Sequence, residues 1–393
     1  MRLSKEEIDS ARCTIRLMPG EHSVREVLHN MLQYGDLSFR DFVEVALYHP
    51  ELGYYARAEN PVGKGADYVT APLLSPAFPY AIGRLVGEFM SRVEGEVPSI
   101  VDIGAGDGSL IRAVARPGAR FFGVDRELGR VGEWASGQVG EGLLADSPTR
   151  QLVHYVRTLD EVPRDGTHLI MSNELFDAFP FARLVQREEH LHELWVTERK
   201  GELDWSEREA PAAYEDYFAA RGIELQVGQF ADVSLEWEAT YAEMAKHITR
   251  GLIVTIDYGF PQNKLFHSRV RRFGTAAAYA KQRVTRDLLA NPGEQDLTAH
   301  INFTDLERAG ERHGMKTLFF DRLAKFLLAI GITEHELFRP STELESGSIE
   351  LFEARDAARR LVLPDGIGED LRVLVQVKAM PESGWAFQRS LFP

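Results

Sequence analysis

Only one cysteine, Cys13, occurs in the 393 residues. No internal disulfide can form, which excludes a cross-linked secreted scaffold, and a lone thiol near the start of the chain reads as incidental. Long apolar runs are also missing, and none approaches the ~18 residues of a membrane span. Basic side chains are the scarcer charged class, 45 against 60 acidic, for a net charge of -15. Phosphate-rich partners need the opposite sign, so broad nucleic-acid binding is not expected, although a local basic groove stays open. A cationic ligand or a basic segment of another protein suits this balance better. No H-E-x-x-H or comparable ligand spacing, no G-x-S-x-G elbow and no P-loop is present, so no metal site is expected. The opening residues, Met1 to Glu7, lack an apolar signal region, and the early acids Glu6 and Glu7 argue against a transit peptide. The expected location is therefore cytoplasmic, with no membrane partner.

The remaining composition, 44% hydrophobic and 27% charged, is that of a globular chain of one large or two ordinary domains. Val24, Val27, Leu28, Met31 and Leu32 form one helical stripe, and Phe39, Phe42, Val43, Ala46 and Leu47 form another. Ser38 followed by Asp41 predicts an N-cap for the second helix. A further helix is expected over 75–93, and residues 60–65 read as a loop. Strands are expected at 99–103, 120–124, 152–156, 168–172, 252–257, 316–320 and 372–379, with helical patterns between several of them, as at 127–137 and 235–248. Strands alternating with helices indicate a parallel sheet covered on both faces. The pattern divides the chain into an N-terminal helical region, 1–95, and a core, 96–393, with insertions at about 183–232 and 260–302. The first insertion carries a hairpin-like segment, 191–196.

Residues 100–110, Ile-Val-Asp-Ile-Gly-Ala-Gly-Asp-Gly-Ser-Leu, are the most informative stretch. An apolar run ends in Gly104, Gly106 and Gly108, and glycines let a backbone turn tightly and approach a ligand. The next apolar run ends in Asp125, placed to grip ribose hydroxyls as in dinucleotide folds. The spacing is G-x-G-x-G, whereas the dinucleotide fingerprint is G-x-G-x-x-G. A pyrophosphate wants bare amides at a helix N-terminus, yet Asp102 and Asp107 bracket this loop with negative charge. S-adenosylmethionine, with a sulfonium, an amino group and no phosphate, fits better than a nicotinamide or flavin cofactor. A loop that merely turns the chain stays open.

A second polar cluster follows the strand at 168–172, in the string Asn173-Glu174-Leu175-Phe176-Asp177-Ala178-Phe179-Pro180. If a helix starts there, Glu174 and Asp177 share a face and converge on one cation, and a guanidinium matches carboxylates through paired hydrogen bonds. An acidic helix N-terminus is the competing reading. Asp257 ends another strand and either caps a loop or lines the pocket. Thr304 through Glu307 reads as a capping box. That leaves His300 unexplained, as a substrate contact or a proton acceptor.

These segments together resemble the MidA-like family, which includes the mitochondrial complex I assembly factor among the S-adenosylmethionine-dependent methyltransferases. The similarity runs through Phe39 to Phe42, Ala46 to Tyr55, Gly65 to Pro72, Ser75 to Phe78, Asn173 to Pro180, Ile256 to Gly259 and Asn291 to His300. The resemblance implies an α/β fold, a doubly wound seven-stranded class I methyltransferase (Rossmann-like) sheet with an N-terminal helical segment and inserted substrate-site elements. It implies S-adenosyl-L-methionine as cofactor and protein arginine N-methylation of a client, a respiratory-complex-type subunit in the mitochondrial members. The alternatives are a non-catalytic assembly factor that binds the cofactor and a small-molecule methyltransferase. Carried onto this chain, Gly104, Gly106 and Gly108 hold the methionine moiety, with Asp102 and Asn173 beside them. Asp125 binds the ribose, and Thr70 and Ser75 lie on the segment that closes over the cofactor. Glu174, Asp177 and His300 serve the methyl acceptor, and a homodimer is left open. The chain departs from the family pattern at Leu73, Ala277 and Asn302, each of which replaces a charged residue.

Overall fold

The computed structural model describes residues 22–56, 70–93, 95–126, 152–280, 283–339 and 349–389. The loop expected at 60–65, the helix expected at 127–137 and Cys13 lie outside them. The chain forms two compact units. The first comprises the described residues of 1–68, 178–235 and 263–300, and the second those of 69–177, 236–262 and 301–393.

The second unit is built on a central sheet whose seven principal strands match the seven expected. They are β1 (Ser99–Ile103), β2 (Arg120–Val124), β3 (Val153–Val156), β4 (Thr167–Asn173), β5 (Arg250–Phe260), β6 (Lys316–Arg322) and β7 (Leu371–Lys378). Their order is β3-β2-β1-β4-β5-β7-β6, and a short strand, Ile301–Asn302, pairs with the end of β5. Strands β1 to β5 run parallel, while β7 is antiparallel to both β5 and β6. Strands buried on both faces should be apolar throughout. Accordingly, Ile100 and Val101 of β1 and Leu252 to Val254 of β5 are fully or almost fully buried. The helix Ala77–Ser91 presents Phe78, Ile82, Leu85 and Phe89 at helical spacing. They join the cluster formed by Ile100, Leu169 and Val254. This burial explains why the division falls before residue 70, whereas the sequence pattern put it near 95: the helix belongs to the sheet's core.

The first unit gathers the N-terminal helices with both expected insertions. Helices Val24–Leu32 and Phe39–Tyr48 form where the apolar stripes predicted them, and the Ser38 hydroxyl accepts the Asp41 amide at 3.1 Å. They pack with a five-stranded sheet whose hairpin pairs Leu191–Arg199 with Glu202–Glu209. Phe39 sits at the centre, with ring centroids 4.9 Å from Trp205 and 5.6 Å from Phe181. A smaller three-stranded sheet joins Ala277–Ala280 to Arg283–Thr285 and Asp296–Thr298.

At the amino end of β4 two histidines are buried against each other, with ring centroids of His168 and His247 5.2 Å apart. Neither ring nitrogen of His247 has a hydrogen-bond partner among the described residues. Burial, reinforced by His168, pulls the His247 pKa down to about 4. The unfolded chain therefore takes up the proton first, and His247 contributes stability that fades as pH falls from about 6.5 toward 4. Asp102 and Asp257, whose pKa values are raised, act in the opposite sense. The contribution of His247 is thus isolated by comparing wild type with His247→Leu. Thermal melts should show wild type losing ground to the variant between pH 7 and pH 5. A constant difference across that range would contradict this assignment.

Candidate functional site

In an open parallel sheet, ligands bind beyond the carboxyl ends of the strands, where the strand order reverses. Here that point lies between β1 and β4. The chain leaves β1 into the glycine loop, where Gly104, Gly106 and Gly108 all take positive φ, +73°, +55° and +72°. L-residues with side chains rarely occupy that region. Space matters as well. A Cβ on Gly104 would meet Leu175 Cδ1 at 2.8 Å, and one on Gly108 would meet the Tyr155 hydroxyl at 2.6 Å. Gly106 instead faces open space. The helix Ser109–Val114 starts directly after the loop.

Asp125, at the end of β2, accepts the Gly106 amide at 2.9 Å. The ribose ligand expected from the sequence thus also fixes the loop's central peptide. Asp102 is buried beneath it. Burial, then the charges of Asp125 and Asp107, push its carboxyl pKa up to about 7. A nearby cation would reverse that shift. The three carboxylates suit a sulfonium and repel a phosphate.

At the end of β4 the expected helix does not form. Residues 174–180 are turn and bend, so Glu174 and Asp177 do not share a helix face. Glu174 instead adopts φ +50°, a left-handed backbone unusual for a side-chain-bearing residue. Such strain costs on the order of 1–3 kcal/mol and persists only where surrounding contacts determine it. Those contacts are present. The Glu174 amide donates to Ile256 O at 2.8 Å, and Glu174 Oε1 accepts from the Ala71 amide and Asn173 Nδ2, each at 3.0 Å. Fully buried Asp257 accepts the Leu175 and Phe176 amides at 3.1 and 2.8 Å and its neighbour Tyr258 at 2.8 Å. Its burial, opposed by these amides and reinforced by Glu174, raises its pKa to about 7. Asp257 is thus the loop cap of the two readings offered by the sequence. Trp237 Nε1 donates to Phe176 O at 2.7 Å and closes the turn from the other side.

The structure therefore links Asp102, the three glycines, Asp125, Asn173 and Glu174 into one continuous arrangement. Leu175 lies under Gly104, and the segment after Thr70 is tied in through Ala71. Thr70 is the N-cap residue of Ala71–Leu74 but makes no side-chain cap, and buried Ser75 accepts the Ala77 amide at 3.3 Å. Asp177 is buried at the end of the same unit. His300 belongs to the other unit, where its amide donates to Thr275 Oγ1 at 3.1 Å. The capping-box expectation at Thr304 needs correction. Asn302 caps the helix Phe303–Arg312 by accepting the Thr304 amide at 3.2 Å, while the Thr304 hydroxyl accepts the Gln262 amide. One residue escaped the sequence reading: Tyr155, whose ring packs under Gly108 and Gly123 and which nothing in the sequence marked.

The buried Asn173 Oδ1 has no partner among the described residues. That unmet acceptor, the open face of Gly106 and the carboxylates around the loop fit a cationic cofactor with donor groups. Residues 136–320 match a family described as "Putative S-adenosyl-L-methionine-dependent methyltransferase". A crystallised Burkholderia thailandensis protein with bound S-adenosyl-homocysteine superposes with TM-score 0.77 and 25% identity, covering 93% of this chain and 95% of that one. The chain is similar to this family over the matched residues. Its α/β fold is that of the class I methyltransferases, shared with this Burkholderia protein. Among curated relatives, the mitochondrial protein arginine methyltransferase NDUFAF7 of Danio rerio is 24% identical over 319 residues, 74% of this chain and 72% of its own length. The Drosophila melanogaster homologue is 25% identical over 318 residues, 74% and 70%. These relatives are named as mitochondrial, which overturns the cytoplasmic expectation. That expectation rested on a few N-terminal acids, which bear on a targeting signal and not on the methyltransferase fold.

Two measurements probe this site. Replacing Asp257 by Asn removes one carboxylate acceptor from two buried amides, a loss of about 1–3 kcal/mol. The Asp257→Asn protein should therefore melt at lower temperature and bind S-adenosylmethionine more weakly; unchanged melting would contradict the peg role. Ionised Asp102 favours a sulfonium over a neutral thioether. The affinity ratio of S-adenosylmethionine to S-adenosyl-homocysteine should therefore rise from pH 6 to pH 8. A flat ratio in calorimetry would contradict an electrostatic role for Asp102 in cofactor binding.

Proposed function

We propose that this chain is an S-adenosylmethionine-dependent methyltransferase that transfers the methyl group to an arginine nitrogen of a client protein. Support comes from the relatives named protein arginine methyltransferase and from the acids after β4. The observation that carries the reading is the left-handed Glu174, whose carboxylate is pinned by the Ala71 amide and Asn173 beside the glycine loop. A carboxylate held this way can bind guanidinium N–H groups directionally.

Bound S-adenosylmethionine supplies an electrophilic methyl on sulfur. The chain supplies position. Gly104, Gly106 and Gly108 admit the methionine moiety close to the backbone, with Asp102 and Asn173 beside it, and Asp125 binds the ribose. Thr70 and Ser75 flank the short helix whose first amide, that of Ala71, orients Glu174. Glu174 and Asp177 grip the guanidinium and hold one nitrogen in line, at the ~3–3.5 Å near-attack separation that positioning catalysis requires. The arginine proton leaves after attack, so no strong base is needed. His300 is proposed as a client contact within its own unit.

Glu174→Gln keeps an oxygen for the Ala71 amide but removes the charge. It should lower methyl transfer at least 100-fold while leaving cofactor affinity within about three-fold, because charge-assisted contacts to the acceptor are lost. Tritiated methyl incorporation into protein, followed by hydrolysis and identification of methylarginine, measures this. Undiminished incorporation would remove Glu174 from the reaction, and label on a residue other than arginine would replace the acceptor.

A further inference from the structure

Although the chain carries a net charge of -15, residues 258–286 contain seven Lys or Arg and no Asp or Glu. Arg271, Thr275, Ala277, Thr285 and Arg286 of this stretch, with His300, wall a cavity of about 580 Å³ in the first unit. No carboxylate is among its described lining residues. Asp232, which holds the backbone of the lining residues Thr275 and Ala276, is buried. It pairs with Arg183 at 2.7 Å and accepts the Thr275 and Ala276 amides at 2.6 and 2.8 Å. Asp232 thus holds that backbone while its charge is spent on Arg183.

The hollow has a local cause. Small side chains, Ala276 and Ala277, line it beside Arg286, next to the Ala278–Thr285 pair of the small antiparallel sheet. Arg286 is exposed and makes no ion pair among the described residues. Arg271 is held by donating to Lys264 O at 2.9 Å, and burial lowers its pKa, so another cation there would be unwelcome and an anion favoured. Two exposed apolar side chains, Val270 (70%) and Val284 (64%), also line it. Concave, cationic and edged with apolar side chains, the site matches carboxylates flanked by hydrophobic residues.

We propose that this cavity docks an acidic segment of the protein client, read by Arg271 and Arg286 at a distance in sequence from the arginine to be methylated. The proposal rests on the reading that the methyl acceptor is a protein. Electrostatic docking of this kind speeds encounter and selects among arginines that the reacting groups alone cannot tell apart.

The test uses the full chain and fluorescence anisotropy with a fluorescein-labelled peptide of alternating Glu and Leu. A Lys-Leu peptide of equal length and a DNA oligonucleotide of equal charge serve as controls. The Glu-Leu peptide should bind at least ten-fold more tightly than either control, and more weakly as salt rises. Arg286→Glu should weaken it at least ten-fold with S-adenosylmethionine affinity unchanged by calorimetry. Arg271→Gln, checked by thermal melting, should act in the same direction. Peptide affinity that is equal in wild type and Arg286→Glu would overturn the proposal, as would preference for the oligonucleotide. Failure of the wild type to bind the Glu-Leu peptide while it still binds the cofactor condemns only the docking site, whereas peptide binding by the wild type without methylarginine formation condemns the acceptor reading instead.

Discussion

The candidate site depends on one buried carboxylate. Asp257 has no access to solvent, and ionising it there is costly. The compensation is the pair of amides from Leu175 and Phe176, which bend the chain sharply after β4. That bend forces Glu174 into the left-handed region and turns its side chain back to Asn173 and Ala71. The same bend sets Leu175 under Gly104, so the proposed acceptor side and the proposed cofactor side of the site share one anchor. A helix at this point would have been cheaper for the backbone, but it would have carried Glu174 away from the loop.

The parallel sheet supplies the frame. Buried runs specify β1, β4 and β5, and the strand order places the ends of β1 and β4 at the reversal point. Charge is then concentrated where the backbone is most permissive. Asp102, Asp107 and Asp125 surround three glycines, an arrangement that a phosphate would oppose and a sulfonium would relieve. The cost is visible in the raised pKa of Asp102, a common mark of functional sites.

Much of this was legible in the sequence, because the signals were local. The seven strands, the glycine loop, the Ser38 cap and the acid at the end of β2 each follow from side-chain periodicity or from a residue's conformational preference. The helix expected at Glu174 failed because its outcome was decided by Asp257, 83 residues away from Glu174 in sequence (257 − 174). Likewise the helix 77–91 was assigned to the N-terminal region by position, although its apolar face belongs to the sheet's core. Asn302 took the cap from Thr304 because the Thr304 hydroxyl was needed by Gln262. Tyr155 carried no signal, since a tyrosine in a strand reads as core whatever it packs under. The location was misjudged because N-terminal composition was asked to answer a question that the relatives' names answer differently.

The central claim is that the glycine loop holds S-adenosylmethionine. Titration calorimetry on the wild type and on Gly104→Val tests it most directly, since a side chain there meets Leu175 and must adopt an unfavourable backbone. The account predicts saturable one-to-one binding by the wild type, lost in a variant that still melts cooperatively. Absence of binding by the wild type, or equal binding by both proteins, would contradict it.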